Sequence, residues 1–202
     1  MTAHVLPSTD AEKNLAAEDV YFRSGETCAL LWRNAPCVIL GKNQIAENET
    51  SALCRKSVPV FRRTTGGGAV YHDLDNINFS FCLTEETPQE LRVYAEPVMA
   101  FLRSLGLAVC FSGRNDILLR DKKISGMAMR HAGGRTLAHG TLLFRRDAAA
   151  MDAYLTPDTD KLLRHGVASV NARTGELAPY LPDVADAETC LHLLRRFLCA
   201  WK

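Results

Sequence analysis

No Cys-x-x-Cys spacing occurs in the chain, and its seven cysteines (28, 37, 54, 82, 110, 190 and 199) form an odd set. That excludes a zinc ribbon and a disulfide framework, and it fits reduced thiols in the cytoplasm. No apolar run approaches the length of a membrane span, and MTAHVLPSTDAEKN at the start lacks a signal-peptide core, so neither a membrane location nor export is expected. Neither sign of charge is in excess: the net charge of +1 is too balanced for a nucleic-acid surface. There is no His-Glu-x-x-His, and the six histidines (4, 72, 131, 139, 165 and 192) show no metal-ligand spacing. No internal repeat, low-complexity tract or composition break marks a linker. What is present is 202 residues with 47% hydrophobic content, enough for the core of one domain spanning 1–202.

The most unusual stretch is Phe61-Arg62-Arg63-Thr64-Thr65-Gly66-Gly67-Gly68-Ala69-Val70-Tyr71-His72. Val58-Pro59-Val60-Phe61 before the glycines and Ala69-Val70-Tyr71 after them are strand-like, so a strand–loop–strand hairpin is expected. It is not a Walker loop, because no Gly-Lys-Ser/Thr follows. Glycine permits positive φ and lets a ligand approach the main chain. Free backbone N–H groups beside two guanidinium groups suit an anion, above all a phosphate. Equally, the stretch reads as a glycine-rich hairpin with solvated arginines.

Asp10 predicts an N-cap for a helix over 11–23, with Leu15, Val20 and Phe22 as apolar contacts and Gly25 as its stop. Strands are expected at 27–32 and 37–40, a turn at 33–36, a polar loop at 41–44 and a short helix at 50–56. Residues 77–83 alternate, with Ile77, Phe79, Phe81 and Leu83 on one face and Asn76, Asn78, Ser80 and Cys82 on the other. A helix over 88–105 carries the stripe Leu91, Ala95, Val98, Leu102 and Leu105, with Pro97 expected to kink or restart it. Further strands are expected at 107–111, 117–119 and 137–144, a tight turn at 120–122, and helices at 147–155, 158–164 and 187–201. Strands dominate the first two thirds and helices the last. That order predicts an α+β domain on a mixed β-sheet core with flanking helices, not regular βαβ winding.

Two more polar clusters fall at strand ends. Asn115 and Asp116 precede one strand, while Lys123 opens the next and leads into Ile124-Ser125-Gly126. Lys122 and Lys123 read either as solvated turn residues or as functional charges. His139-Gly140-Thr141 begins an apolar strand, a place where histidine is most often a packed, hydrogen-bonded structural group.

Taken in order, these motifs resemble those of lipoate–protein ligase A and its relatives, the biotin/lipoate ligase-like enzymes with a class II synthetase-like catalytic domain. The likeness is carried by Arg62-Arg63-Thr64-Thr65-Gly66-Gly67-Gly68-Ala69-Val70-Tyr71-His72-Asp73, by Asn76-Ile77-Asn78-Phe79-Ser80-Phe81, by Gly113-Arg114-Asn115-Asp116 through Lys123-Ile124-Ser125-Gly126, and by His139-Gly140-Thr141-Leu142-Leu143. Weaker matches lie at Asn14-Leu15-Ala16 through Glu18, at 36–44 and at 166–170.

The resemblance implies two steps. Lipoate's carboxylate attacks the α-phosphate of ATP to give lipoyl-adenylate and pyrophosphate; a protein lysine then attacks the activated carbonyl and AMP leaves. The acceptors it implies are lipoyl domains of 2-oxoacid dehydrogenase E2 subunits and the glycine-cleavage H protein. Lys123 matches the family's catalytic lysine, placed to neutralise charge between carboxylate and phosphate. The implied binding residues are Arg63, Gly66, Gly67, Gly68, Ala69, Val70, Tyr71, His72, Asn78, Asn115, Asp116, Lys123, Gly126, His139, Gly140 and Thr141. Asp116 is the implied contact for Mg2+. His72, His139 and the Ile77/Phe79/Phe81 face are the expected wall of an apolar tunnel. Residues 125–135, with Gly126, Gly133 and Gly134 to bend them, are the expected mobile lid over the reactive adenylate.

Departures from the family pattern are Thr65 for serine, Asp121 for a turn glycine, and Thr174-Gly175-Glu176-Leu177 near the end. Familiar single-chain ligases continue into a small C-terminal domain, which this chain is expected to lack. Such a domain could come from a separate accessory protein, or the chain could be a lipoyltransferase that starts from preformed lipoyl-adenylate. Two alternatives stay open beside the ligase. One is an octanoyl- or lipoyl-transferase using an acyl-thioester; Cys110 is its candidate thiol, although its place within 107–111 favours a buried apolar role. The other is a non-catalytic module that holds lipoate or nucleotide.

Overall fold

The structure, a computed structural model, describes residues 1–113, 115–156 and 174–201. The helix expected at 158–164, the match at 166–170 and Arg114 lie outside the described residues. The strands are β1 (Thr2–Val5), β2 (Cys28–Arg33), β3 (Cys37–Leu40), β4 (Val60–Arg62), β5 (Val70–His72), β6 (Asn76–Thr84), β7 (Val109–Ser112), β8 (Asp116–Leu119), β9 (Lys122–His131) and β10 (Arg135–Leu143). The helices are α1 (Ala11–Ser24), α2 (Ala46–Glu49), α3 (Cys54–Ser57), α4 (Leu91–Ser104), α5 (Ala148–Tyr154) and, last in the chain, α6 (Ala187–Ala200).

Seven strands form one sheet in the order β1-β2-β6-β10-β9-β8-β7, antiparallel except for the parallel β1–β2 pair. A smaller sheet has the order β4-β3-β5, with β3 parallel to β4 and antiparallel to β5. The architecture is the expected α+β one on a mixed sheet.

The alternation of β6 decides where the core sits. Ile77, Phe79 and Phe81 pack with Val98 and Leu102 of α4 and with Leu191, Leu194 and Leu198 of α6. Each such side chain contributes roughly 1.5–3 kcal/mol on full burial. The opposite face of β6, with Asn76, Asn78 and Ser80, is buried as well. Buried polar groups need partners. The cover on that side is therefore itself partly polar, and the functional cavity lies there.

This explains the departures in α1. Asp10 caps it as expected, accepting from the amides of Glu12 and Lys13, and Gly25 ends it at φ 76. Its inner face, however, buries Asn14 and Glu18 alongside Ala11 and Phe22, while Val20 is 66% exposed. The expected turn at 33–36 is a crossing between sheets, since β2 and β3 belong to different ones. The expected glycine hairpin is not one either: β4 and β5 both pair with β3, which lies between them. Instead of one helix at 50–56 there are two single turns, α2 and α3, with Thr50 bridged to Leu155. Helix α4 runs on through Pro97. The expected lid at 125–135 is a β9–β10 hairpin inside the large sheet, turning at Gly133 and Gly134 with φ 60 and 67.

Candidate active site

A cavity of about 290 Å³ opens on the polar face of the large sheet. Its floor comes from Trp32 on β2, Asn76 and Asn78 on β6, His139 and Thr141 on β10, and Gly126 on β9. Ile39, Val70 and Tyr71 of the small sheet cover it, with Leu15 of α1 and Met151 of α5.

The glycine loop is held from behind by the two arginines. Buried Arg63 donates through Nε to the Thr65 hydroxyl (3.1 Å) and through its NH2 group to the carbonyls of Gly66 (2.6 Å) and Gly68 (2.8 Å). Arg62 donates to the carbonyls of Gly41, Lys42 and Gln44. Burial lowers the Arg63 pKa to about 10, against the attraction of Glu18. The guanidinium groups thus organise loop carbonyls; they do not face an anion at the loop entrance as expected. With those carbonyls turned to Arg63, the amides of Gly66, Gly67, Gly68 and Ala69 have no partner among the described residues. A run of amides of this kind suits an anion. Gly67 sits at φ 93, and a Cβ on Gly41 would lie 2.1 Å from the Gly67 carbonyl oxygen, so both positions require glycine.

Lys123 is aimed by a β-bulge. Ile117 faces Ser125 but Leu118 faces Lys123, so Ile124 is the extra residue. Bulges re-aim side chains in this way. The lysine crosses Gly126, where a Cβ would lie 2.8 Å from Nζ, and reaches the Asp116 carboxylate at 2.7 Å. Asp116 stands directly opposite Gly126 in the ladder. Asn115 ties the same corner together, donating from Nδ2 to the Met127 carbonyl at 2.9 Å. Thr174 bridges to Lys123 from the other side.

From the glycine loop a buried polar chain runs to α1 and β6. Thr65 Oγ1 is 2.7 Å from His139 Nε2, His139 Nδ1 is 2.8 Å from Glu18, and Ser80 donates to the same carboxylate. A carboxylate only accepts, so His139 Nδ1 carries a proton. Burial opposes charge on Glu18, but His139, Ser80 and Arg63 together outweigh it and hold its pKa below the usual value. His72 behaves oppositely: burial, aided by Arg63 and His139, pushes its pKa down to about 3.

The structure brings nearly all the expected site residues together. Arg63, Gly67, Gly68, Ala69, Val70, Tyr71 and His72 line the cavity, as do Asn78, Asn115, Lys123, Gly126, His139, Gly140 and Thr141. Gly66 and Asp116 stand just behind that lining, on Arg63 and Lys123 respectively. At Gly140 the missing side chain serves packing, because a Cβ would lie 2.6 Å from Phe79. The tunnel wall needs correcting. His72 and His139 belong to it, whereas Ile77, Phe79 and Phe81 point into the core on the opposite face. Cys110 is exposed on the edge strand β7 and does not line the cavity, so neither its expected burial nor an acyl-thioester role there fits.

Trp32, Asn34 and Met151 are cavity residues that the motifs did not single out, and Asn76 lines the cavity although it was not among the implied binding residues. Glu18 had a signal in its i, i+4 spacing from Asn14, which puts two polar groups on one helix face. Sheet pairing also gathers His4, Glu26 and Cys28 into one group of potential metal ligands, away from the cavity.

Residues 10–198 match the model of the lipoyl protein ligase A/B catalytic domain. The chain belongs to that family. Among solved structures, the lipoyl ligase fold matches a bi-partite lipoate protein ligase from Thermoplasma acidophilum at TM-score 0.83 and 28% identity, over 99% of this chain and 83% of that one. LipL1 from P. falciparum in complex with lipoate matches at TM-score 0.79 and 28% identity, over 97% and 61% of the two chains. A lipoate-protein ligase A bound with ATP matches at TM-score 0.81 and 27% identity, over 99% and 85%. A biotin protein ligase from Aquifex aeolicus, 14% identical at TM-score 0.53 over 98% and 69%, shares the fold. No helix among the described residues is long and apolar enough to cross a membrane.

Proposed function

We propose that this member of the lipoyl protein ligase family is an ATP-dependent lipoate–protein ligase. The observation that carries the proposal is the position of Lys123, which lines the same cavity as the unpaired Gly67–Ala69 amides and is held by Asp116. Lipoate's carboxylate attacks the α-phosphorus of ATP; the new P–O bond replaces the bond to the leaving pyrophosphate. Lys123 neutralises the carboxylate as it nears the phosphate and the charge spread over the phosphoryl oxygens. The amides of the glycine loop donate to phosphate oxygens. In the second step an acceptor lysine amine attacks the acyl carbonyl, loses a proton, and displaces AMP.

A single carboxylate, Asp116, fits a magnesium ion held mainly by phosphates and water, and such an ion would neutralise phosphate charge. The acceptors are lipoyl domains of E2 subunits or the glycine-cleavage H protein; the T. acidophilum relative was studied with its E2 lipoyl domain. Seven unpaired thiols support a cytoplasmic setting.

The test mixes the chain with a lipoyl domain and either lipoate plus Mg-ATP or synthetic lipoyl-adenylate, with and without a small accessory protein. The mass of the acceptor is the readout. Acylation from ATP, lost in Lys123→Ala by about 10²–10³-fold or more, is the expected result. Acylation from the adenylate alone makes the chain a transferase, and unimpaired adenylate formation by Lys123→Ala refutes the assignment.

A further inference from the structure

Away from the cavity, one edge of the large sheet gathers three different metal-ligating groups. The ligand atoms of His4, Glu26 and Cys28 all lie within 4.8 Å of one another, the only such group of three among the described residues.

The backbone sets this convergence. In the parallel β1–β2 pair, Thr2 faces Cys28 and His4 faces Leu30, so His4 and Cys28 project from one face of the sheet. Glu26 stands two residues before Cys28, just ahead of β2, and reaches His4 on that side. Helix α1 covers this face: the His4 ring lies 5.3 Å from the Tyr21 ring, and Cys28 packs with Phe22. The whole of α1 thus lies between His4 and Glu26 in sequence, and strand pairing alone brings them together.

Taken singly, each group has an ordinary explanation. An exposed His–Glu pair contributes little, and a buried cysteine is commonly a small apolar residue. Together they favour a cation. His4 Nε2 and Glu26 Oε1 are 3.2 Å apart, close to the roughly 3.3 Å that a nitrogen and an oxygen span on a tetrahedral zinc ion. Cys28 supplies a sulfur beside that pair. It is backed by Cys82, which stands opposite it in the ladder and shares a hydrogen bond with it. Outer partners of this kind hold metal ligands in place. A neutral imidazole, a carboxylate and a thiolate carry two negative charges, which a divalent cation cancels, so no unpaired charge is buried.

Access is from solvent. Cys28 is fully buried, but the side chains of His4 and Glu26 are 35% and 49% exposed. They can part, admit an ion and close on it. The widest separation, at most 4.8 Å, must contract to roughly 3.6 Å around zinc, a movement within reach of two part-exposed side chains.

We propose that His4, Glu26 and Cys28 bind one zinc ion, with water in the fourth position, and that the ion clamps edge strand β1 to β2 and closes the chain around α1. Binding expels the Cys28 thiol proton and forms the zinc–sulfur bond. Thiolate and imidazole suit zinc, whereas magnesium takes oxygen ligands. The site is independent of the ligase assignment, since none of its three residues lines the cavity.

The test uses the full chain without an affinity tag, in a phosphine reductant, with the exposed Cys110 and Cys199 changed to serine so that they bind no metal. Calorimetry is expected to show one equivalent of zinc, and cobalt in its place to give the near-ultraviolet absorption of a thiolate–cobalt bond. His4→Gln and Glu26→Gln, both at part-exposed side chains, should each weaken zinc about tenfold or more. Cys28→Ala should abolish the cobalt band. Free zinc a hundredfold above its Kd should raise the melting temperature by about 5 °C or more, and not in Cys28→Ala. No binding at one equivalent overturns the proposal. So does zinc affinity unchanged in any one of the three variants; unchanged affinity in all three means an adventitious ion only. Acyl transfer from lipoate and Mg-ATP, measured on the same protein, reports on the ligase assignment separately.

Discussion

Gly126→Ala offers a clean separation of catalysis from folding. A Cβ at Gly126 would lie 2.8 Å from Lys123 Nζ and 2.9 Å from Cε, and it meets nothing else within 4 Å. Ordinary contact begins at 3.4 Å, so the ammonium must move by at least the difference, 3.4 − 2.8 = 0.6 Å. That weakens its 2.7 Å pairing with Asp116. A displacement approaching 1 Å in a positioned catalytic group costs on the order of 10²-fold in rate. Stability moves little. The flexible end of a lysine gives way, the lysine being 33% exposed, and an ion pair open to solvent on the lysine side is worth about 1 kcal/mol. Alanine returns roughly 0.5–1 kcal/mol of backbone entropy relative to glycine. The melting temperature should therefore stay within about 4 °C of the parent, while pyrophosphate release with lipoate and Mg-ATP falls by about two orders of magnitude. Full adenylation by a folded Gly126→Ala protein would refute the placement of Lys123 at the reacting atoms, and collapse of the fold would refute the packing.

The contrast is Gly140→Ala, whose Cβ would lie 2.6 Å from Phe79 and 2.7 Å from Met127 inside the sheet. It should lose about 1–3 kcal/mol in chemical denaturation, from overpacking. Arg63→Lys should not substitute for arginine, because one ammonium cannot match a fork that reaches Thr65, Gly66, Gly68 and Ile39. We expect a loss of about 3 kcal/mol or more together with weaker nucleotide binding by calorimetry. His72 makes stability depend on pH, since its folded-state value is lowered from 6.5 to about 3. The unfolded chain takes up a proton that the folded one refuses, so stability is full above pH 6.5 and falls as pH drops toward 3. Between pH 7 and pH 5 the expected fall is about 2 kcal/mol, and a flat urea-denaturation profile over that interval would contradict it. Glu18→Gln keeps the shape but removes the charge that faces His139 and Arg63. It should flatten the further loss of stability below pH 4.5, the unshifted value.

Much of this was legible in the residues themselves. Strict alternation in β6 set its two faces, and the stripe on α4 set the helix that covers one of them. Asp10 and Gly25 marked both ends of α1, and Lys123-Ile124-Ser125-Gly126 marked the corner of the cavity where Lys123 meets Asp116. These are local matters of side-chain period and backbone permission. What the residues alone could not show is pairing across long separations. Only the tertiary structure put β3 between β4 and β5, and so turned an apparent hairpin into a loop braced by Gly41 and both arginines. The same is true of Glu18, which is buried against Ser80 of β6 and His139 of β10. Trp32 and His72 stand 40 residues apart in sequence and line one cavity only because the two sheets share it. Local sequence decides which groups a segment can offer. Which of them end up buried together depends on the packing of distant segments, and that is where the chemistry of this chain was decided.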